Sequence, residues 1–170
     1  MARVLPAVAV CLLLLPVEAA LLPFLGPLLS SVRADLALCA VLWLAVGPAG
    51  AVEGAVGAYA CGTIADLLYA VQPGLFAFLA LLVYVLVRVG SGALDVRGPA
   101  SFAALCGIGA LVQAGLAYLL LTFVGQSWPT DALPGVFGGA ALTAAVGAPV
   151  YLFLRWTTRV LEREESSLLR

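Results

Sequence analysis

Charge is pushed to the margins of this chain. From Val4 to Leu154 one apolar segment follows another, and isolated charges or Pro and Gly turns mark the breaks. Of the 170 residues, 64% are hydrophobic and 10% charged, against about 25% charged in soluble domains. A water-soluble chain of this length has too little interior to hide so much apolar surface, so lipid must be the solvent. The fold class expected is an all-α integral membrane protein.

Crossing the hydrocarbon as helix takes about 20 apolar residues. Six segments are expected to do so. The first runs from about Val4 to Leu29, with Pro6, Pro16, Glu18 and Pro23 inside it, and the second, a short one, from about Ala34 to Val46. Gly47-Pro48-Ala49-Gly50 reverses the chain, because Pro cannot continue a helix and Gly permits the turn. The third span covers about Ala51 to Ala70, and Gln72-Pro73-Gly74 turns into the fourth, Leu75 to Val89. A polar stretch from Gly90 to Pro99 precedes the fifth, Ala100 to Val124. Gln126 to Pro134 form a loop, and the sixth span runs from Gly135 to Leu154. The transmembrane domain is thus residues 1–154, and 155–170 form a cytoplasmic tail read as a solvated helix of alternating charge.

Arginine placement orients this layout. With six spans and both termini inside, Arg3, Arg88, Arg97, Arg155, Arg159, Arg163 and Arg170 collect on the cytoplasmic side and only Arg33 lies outside. That asymmetry follows the positive-inside rule. Arg3, the apolar run and Val17-Glu18-Ala19 also resemble a signal peptide, but the apolar sequence continues through Leu25 and favours a retained span.

Catalytic equipment is missing from the sequence. There is no His, the commonest general base and metal ligand. Lys is absent too, so no phosphate loop of the Gly-rich, Lys-bearing kind exists. Asp35 and Asp66 are the only aspartates near spans, and they lie on separate segments. Cys11, Cys39, Cys61 and Cys106 fall inside spans without metal-ligand spacing, as buried thiols do. No enzyme activity, metal or cofactor is expected. With a net charge of −1, no basic field draws nucleic acid.

The third span carries the most specific pattern. Gly50, Gly54, Ala58 and Gly62 recur every four residues, and Asp66 continues the row. Such a row lines one helix face and lets a second helix approach closely. The row is therefore a face for another helix, of this chain or of a partner. A carboxylate within a span is costly, so Asp66 either caps at the interface or takes a partner, for which Arg33 is the outward-side cation. Glu53 reads as a solvated first-turn residue, and Gln113 as a hydrogen-bonding group toward a neighbouring helix. Gly135, Gly139, Thr143 and Gly147 form a second helix-packing row, which suits packing of helix six on helix three or reception of a foreign helix. Trp128 and Trp156 suit interfacial anchoring at opposite faces; Trp43, inside the short second span, fits less neatly.

Several of these residues together resemble the MreD family of rod-shape-determining proteins. The resemblance rests on Asp35-Leu36 at the start of the second span, Gly62-x-x-x-Asp66-Leu67-Leu68 in the third, and Pro73-Gly74 before the fourth, with Ala34 where the family usually has Pro. It implies a non-enzymatic multi-pass subunit of the bacterial inner membrane, part of the elongation machinery that governs cell shape and peptidoglycan synthesis. The implied partners are MreC, a single-span membrane protein, with RodA, its transpeptidase and MreB-linked components around it, and membrane lipids. By the same analogy the face ending at Asp66 would receive the MreC segment. The six-span layout is also similar to the substrate-binding S components of energy-coupling-factor transporters. Under that alternative an outward-facing pocket is expected, although few polar groups (Thr63, Asp66, Gln113, Thr143) could line it. An orphan membrane scaffold is a third alternative.

Overall fold

The computed structural model describes residues 4–21, 34–47, 50–69, 74–90, 96, 98–125 and 133–168. These residues form six α-helices: α1 (Val4–Leu21), α2 (Leu36–Val46), α3 (Ala51–Tyr69), α4 (Leu75–Gly90), α5 (Pro99–Phe123) and α6 (Leu133–Leu168). The helix boundaries follow the expected spans closely from α2 to α5. Residues 22–29 of the expected first span, Arg33 and Trp128 lie outside the described residues. Stretches within Ala51–Leu68, Pro99–Phe123 and Pro134–Val160 are long and apolar enough to cross a membrane, while α2 and α4 are shorter apolar helices. The chain is therefore a helical membrane protein.

α2 organises the rest. Its sequence, LALCAVLWLAV, is apolar on every side, the pattern of a helix buried all round. Eight of its residues are buried, from Ala37 to Ala45. α2 touches all five other helices, which close around it in the order α1, α3, α4, α5, α6 and back to α1. α3 and α6 thus stand on opposite sides of α2 and do not meet. The packing of helix three on helix six, one of two expectations for their small-residue rows, is replaced by packing of α3 on α4 and of α6 on α5.

Two apolar clusters fill the ring. One joins α1, α2, α3 and α4 through Ala7, Cys11, Leu15, Val41, Leu44, Ala58, Cys61 and Tyr84. The other joins α2, α4, α5 and α6 through Leu42, Val83, Phe102, Cys106, Tyr151 and Leu154. Trp43 belongs here and not at an interface. Its ring stands edge-on to Tyr151 at 5.3 Å and to Phe102 at 6.2 Å, in the T-shaped arrangement that aromatic quadrupoles favour. All four cysteines are buried free thiols. They sit in two cross-helix pairs, Cys11 with Cys61 and Cys39 with Cys106.

Helix ends are finished locally where α5 begins: Ser101 Oγ accepts from Gly98 N at 3.2 Å and donates to Gly98 O at 2.9 Å. α6 continues from the expected sixth span straight through Arg155 to Leu168 as one helix of 36 residues, about 54 Å long.

The burial of the thiols generates a direct check. In mild detergent a membrane-permeant maleimide should label none of the four cysteines, and all should react after denaturation in SDS. Labelling of Cys39 or Cys106 in the folded protein, read by mass spectrometry, would contradict the central position of α2.

Candidate functional site

Two polar arrangements interrupt the apolar bundle, and both involve residues singled out by the sequence. The first closes α3 onto α4. Asp66 sits in the last turn of α3, and its two carboxylate oxygens accept from Phe76 N and Ala77 N, each at 2.9 Å. These are amides of the first turn of α4, which have no partner within their own helix. A carboxylate there also meets the positive end of the α4 dipole. At the opposite end of the pair, Tyr84 Oη of α4 donates to Ala51 O at the start of α3, at 2.9 Å. The two helices are thus clasped at both ends.

The small-residue row fills the space between the clasps. A Cβ on Gly62 would stand 2.6 Å from Ala77 Cα, 2.8 Å from Phe76 O and 2.9 Å from Ala80 Cβ, closer than such atoms can approach. Gly54 lies against the Tyr84 ring, and Ala58 is buried. Gly50 is exposed at the start of the row. From Gly54 to Asp66, the face expected to receive a foreign helix is occupied by α4 of the same chain. The physical reason is the one that suggested a partner at all: glycine at every fourth position permits backbone contact, and the nearest helix in sequence takes it. Asp66 meets backbone amides, while its expected cation, Arg33, lies outside the described residues. Glu53 is exposed in the first turn of α3.

The second arrangement holds α2. Asp35 caps the helix, accepting from Leu38 N through Oδ1 at 2.8 Å. Its Oδ2 accepts from Gln113 Nε2 of α5 at 2.7 Å. Its backbone N donates to Thr143 Oγ1 of α6 at 3.0 Å, and Thr143 in turn donates to Gly139 O at 2.7 Å. Gln113 is ten residues from Phe123 at the end of α5, and Thr143 ten residues from Leu133 at the start of α6. Each therefore lies about 15 Å along its helix from that end. The half-buried carboxylate of Asp35 is thus held well away from the ends of α5 and α6, and an ionisable group at that level of a membrane bundle is a functional-site hypothesis by default. At the other end of α2, Arg88 Nη1 of α4 donates to Ala45 O at 3.2 Å and to Gly47 O at 2.9 Å.

Sequence reasoning misses the role of Asp35, because the residue sits at the edge of a span. Its spacing of three residues ahead of Leu38, at the head of an apolar run, is an N-cap signal that could have revealed it. The second small-residue row is divided between neighbours. Thr143 reaches Asp35. Gly147 packs on Cys106 and Ala103 of α5, where an added Cβ would stand 2.9 Å from Cys106 Sγ. Gly135 and Gly139 precede them on α6.

Between the two arrangements lies a small pocket lined by Asp35, Gln113, Gly62, Ala65, Phe76 and Ala80, among others. It has space for about one water-sized molecule. Among the described residues no three His, Cys, Asp or Glu side chains come together as a metal site would require. No protein-family model, curated protein or solved structure matches the chain.

The clasp and the cap can be tested separately. Asp66→Ala leaves two amides of α4 without acceptors and should cost about 1–3 kcal/mol; unchanged thermal unfolding in detergent would show that water or lipid headgroups replace the carboxylate fully. Gly62→Leu should be worse, because the obstacle is backbone, and should prevent α3 from closing on α4. For the deep site, a double-mutant cycle of Asp35→Ala with Gln113→Ala should return a coupling of about 0.5–2 kcal/mol. A coupling near zero would mean the two side chains do not share a bond in the folded protein.

Proposed function

We propose that this chain is a non-enzymatic, six-span subunit of the bacterial inner membrane, with both termini in the cytoplasm, that acts in cell elongation as MreD-like proteins do. Its role would be to bind a single-span partner of the MreC kind and so to support the enzymes of peptidoglycan synthesis, RodA and its transpeptidase, near MreB filaments. The observation that carries this reading is the Gly62–Asp66 clasp. The resemblance to MreD centres on Gly62-x-x-x-Asp66-Leu67-Leu68 and the step into α4, and in the fold these residues act jointly. Glycine admits the α4 backbone, while the aspartate, one turn on, binds the α4 amides at 2.9 Å. Asp35 of the Asp35-Leu36 pair likewise caps α2. The motif is thereby explained as the means of building a rigid bundle.

The pocket beside Asp35 does not serve an S component: vitamin-sized ligands need about 300 Å³ or more with several convergent polar groups, and among the described residues this pocket holds about one water. Because α4 covers most of the small-residue row, the partner helix would reach the clasped α3–α4 pair from outside, where Val52, Val56 and Tyr59 are exposed, and not by inserting along Gly54, Ala58 and Gly62.

Affinity purification of the tagged chain from native membranes in mild detergent, followed by mass spectrometry, tests this. A single-span protein with a periplasmic domain should be recovered in comparable amounts, with or without wall-synthesis enzymes. Recovery of paired ATPase subunits with a coupling membrane protein would overturn the proposal in favour of transport.

A further inference from the structure

α6 carries two arginines that the bundle does not use. Leu154 and Thr158 are buried against the bundle, which turns Arg155 and Arg159 outward, both exposed. They are four residues apart, so their Cα atoms rise about 6 Å relative to one another on the same helix edge. Like charges at this spacing repel. Arg88, in the last turn of α4, is committed to the end of α2. Elsewhere in the bundle the described carboxylates are committed or remote: Asp35 and Asp66 are held by helix amides, and Glu53 stands on α3, which does not touch α6.

Between the two arginines is an amphipathic ring. Trp156 is 62% exposed and stacks obliquely on Phe153, with centroids 6.3 Å apart. Tryptophan with one wet and one apolar edge sits by preference at the level of lipid headgroups. Two exposed guanidiniums one turn apart, with an exposed indole between them at the end of an apolar span, have the chemistry of a phosphate clamp at a membrane surface. Arginine suits that chemistry, since its planar fork matches phosphate oxygens.

We propose that Arg155, Trp156 and Arg159 form a binding site for the headgroup of an anionic phospholipid in the leaflet that meets this end of α6. The phosphate lies between the guanidiniums and relieves their repulsion. The indole and Phe153 cover the glycerol and the upper acyl chain. The site is independent of any partner protein, since all of its parts lie on one helix.

Trp156 is its own reporter. The full-length protein is placed in phosphatidylcholine membranes, and brominated phosphatidylglycerol or brominated phosphatidylcholine is titrated in; quenching that is lost in Trp156→Phe belongs to this residue. Near a charged surface each arginine is worth about fivefold in anionic-lipid affinity. Brominated phosphatidylglycerol should therefore quench Trp156 with at least about tenfold preference at low salt. The R155Q/R159Q variant should reduce that preference to about twofold or less. Raising salt to about 1 M should do the same to the unaltered protein, because the Debye length falls to about 3 Å; this arm needs no variant to fold. Equal quenching by the two lipids in the unaltered protein would overturn the proposal. So would a preference that survives R155Q/R159Q, or the absence of any preference together with loss of an acidic protein partner in that variant.

Discussion

Hydrogen bonds at the two ends of α2 are the condition on which this bundle rests. Eleven residues of helix extend about 16 Å, roughly half of a hydrocarbon layer about 30 Å thick. At least one end of α2 must therefore lie where no water can satisfy its backbone, and such groups are costly in lipid. Nor does lipid drive α2 to the centre by exclusion, since acyl chains are as apolar as leucine. What fixes it is polar: Asp35 with Gln113 and Thr143 at the start, Arg88 at the finish. Each comes from a different helix, so satisfying the short helix also sets the positions of α4, α5 and α6. The ring of five is then a consequence of the core helix, as much as its container.

The α3–α4 pair obeys the same logic at the surface of the bundle. Close approach needs glycine, and Gly62 supplies it; a helix start needs acceptors, and Asp66 supplies them. Neither feature works alone. Without Gly62 the amides would stand too far from the carboxylate, and without Asp66 the contact would end on unpaired donors. The sequence spacing of four residues puts the close contact and the acceptor on one face, which is why a short motif can encode a tertiary clasp.

The helices could be read from sequence because apolar runs and Pro/Gly breaks are local signals; α3, α4 and α5 fall within a residue or so of where those signals put them. The neighbours of each helix could not. A row of small residues states that something will approach, without saying what. For Gly54 and Gly62 it is α4, and for Gly147 it is α5. Trp43 carried the opposite difficulty: its residue type suggests an interface, while its place in an all-apolar helix packs it, half-buried, against Phe102 and Tyr151. Gln113 announced a hydrogen bond, but its partner, 78 residues away, is set by three-dimensional packing. Asp35 was hidden by position, since a carboxylate at the end of an apolar segment looks solvated until the length of that segment is compared with the membrane.

The remoteness of those partners bears on how the protein comes into being. Asp35 bonds to Thr143, 108 residues further along the chain, which a ribosome adds in roughly 5–20 s at about 5–20 residues per second. Throughout that interval the start of α2 is without α6, and for most of it without Gln113 as well. The first four helices can be synthesised before the centre of the fold has its polar contacts. Final closure thus belongs to the last third of the chain, and an incomplete product would present to quality control a membrane-embedded backbone N–H of Asp35 still waiting for its acceptor, Thr143 Oγ1.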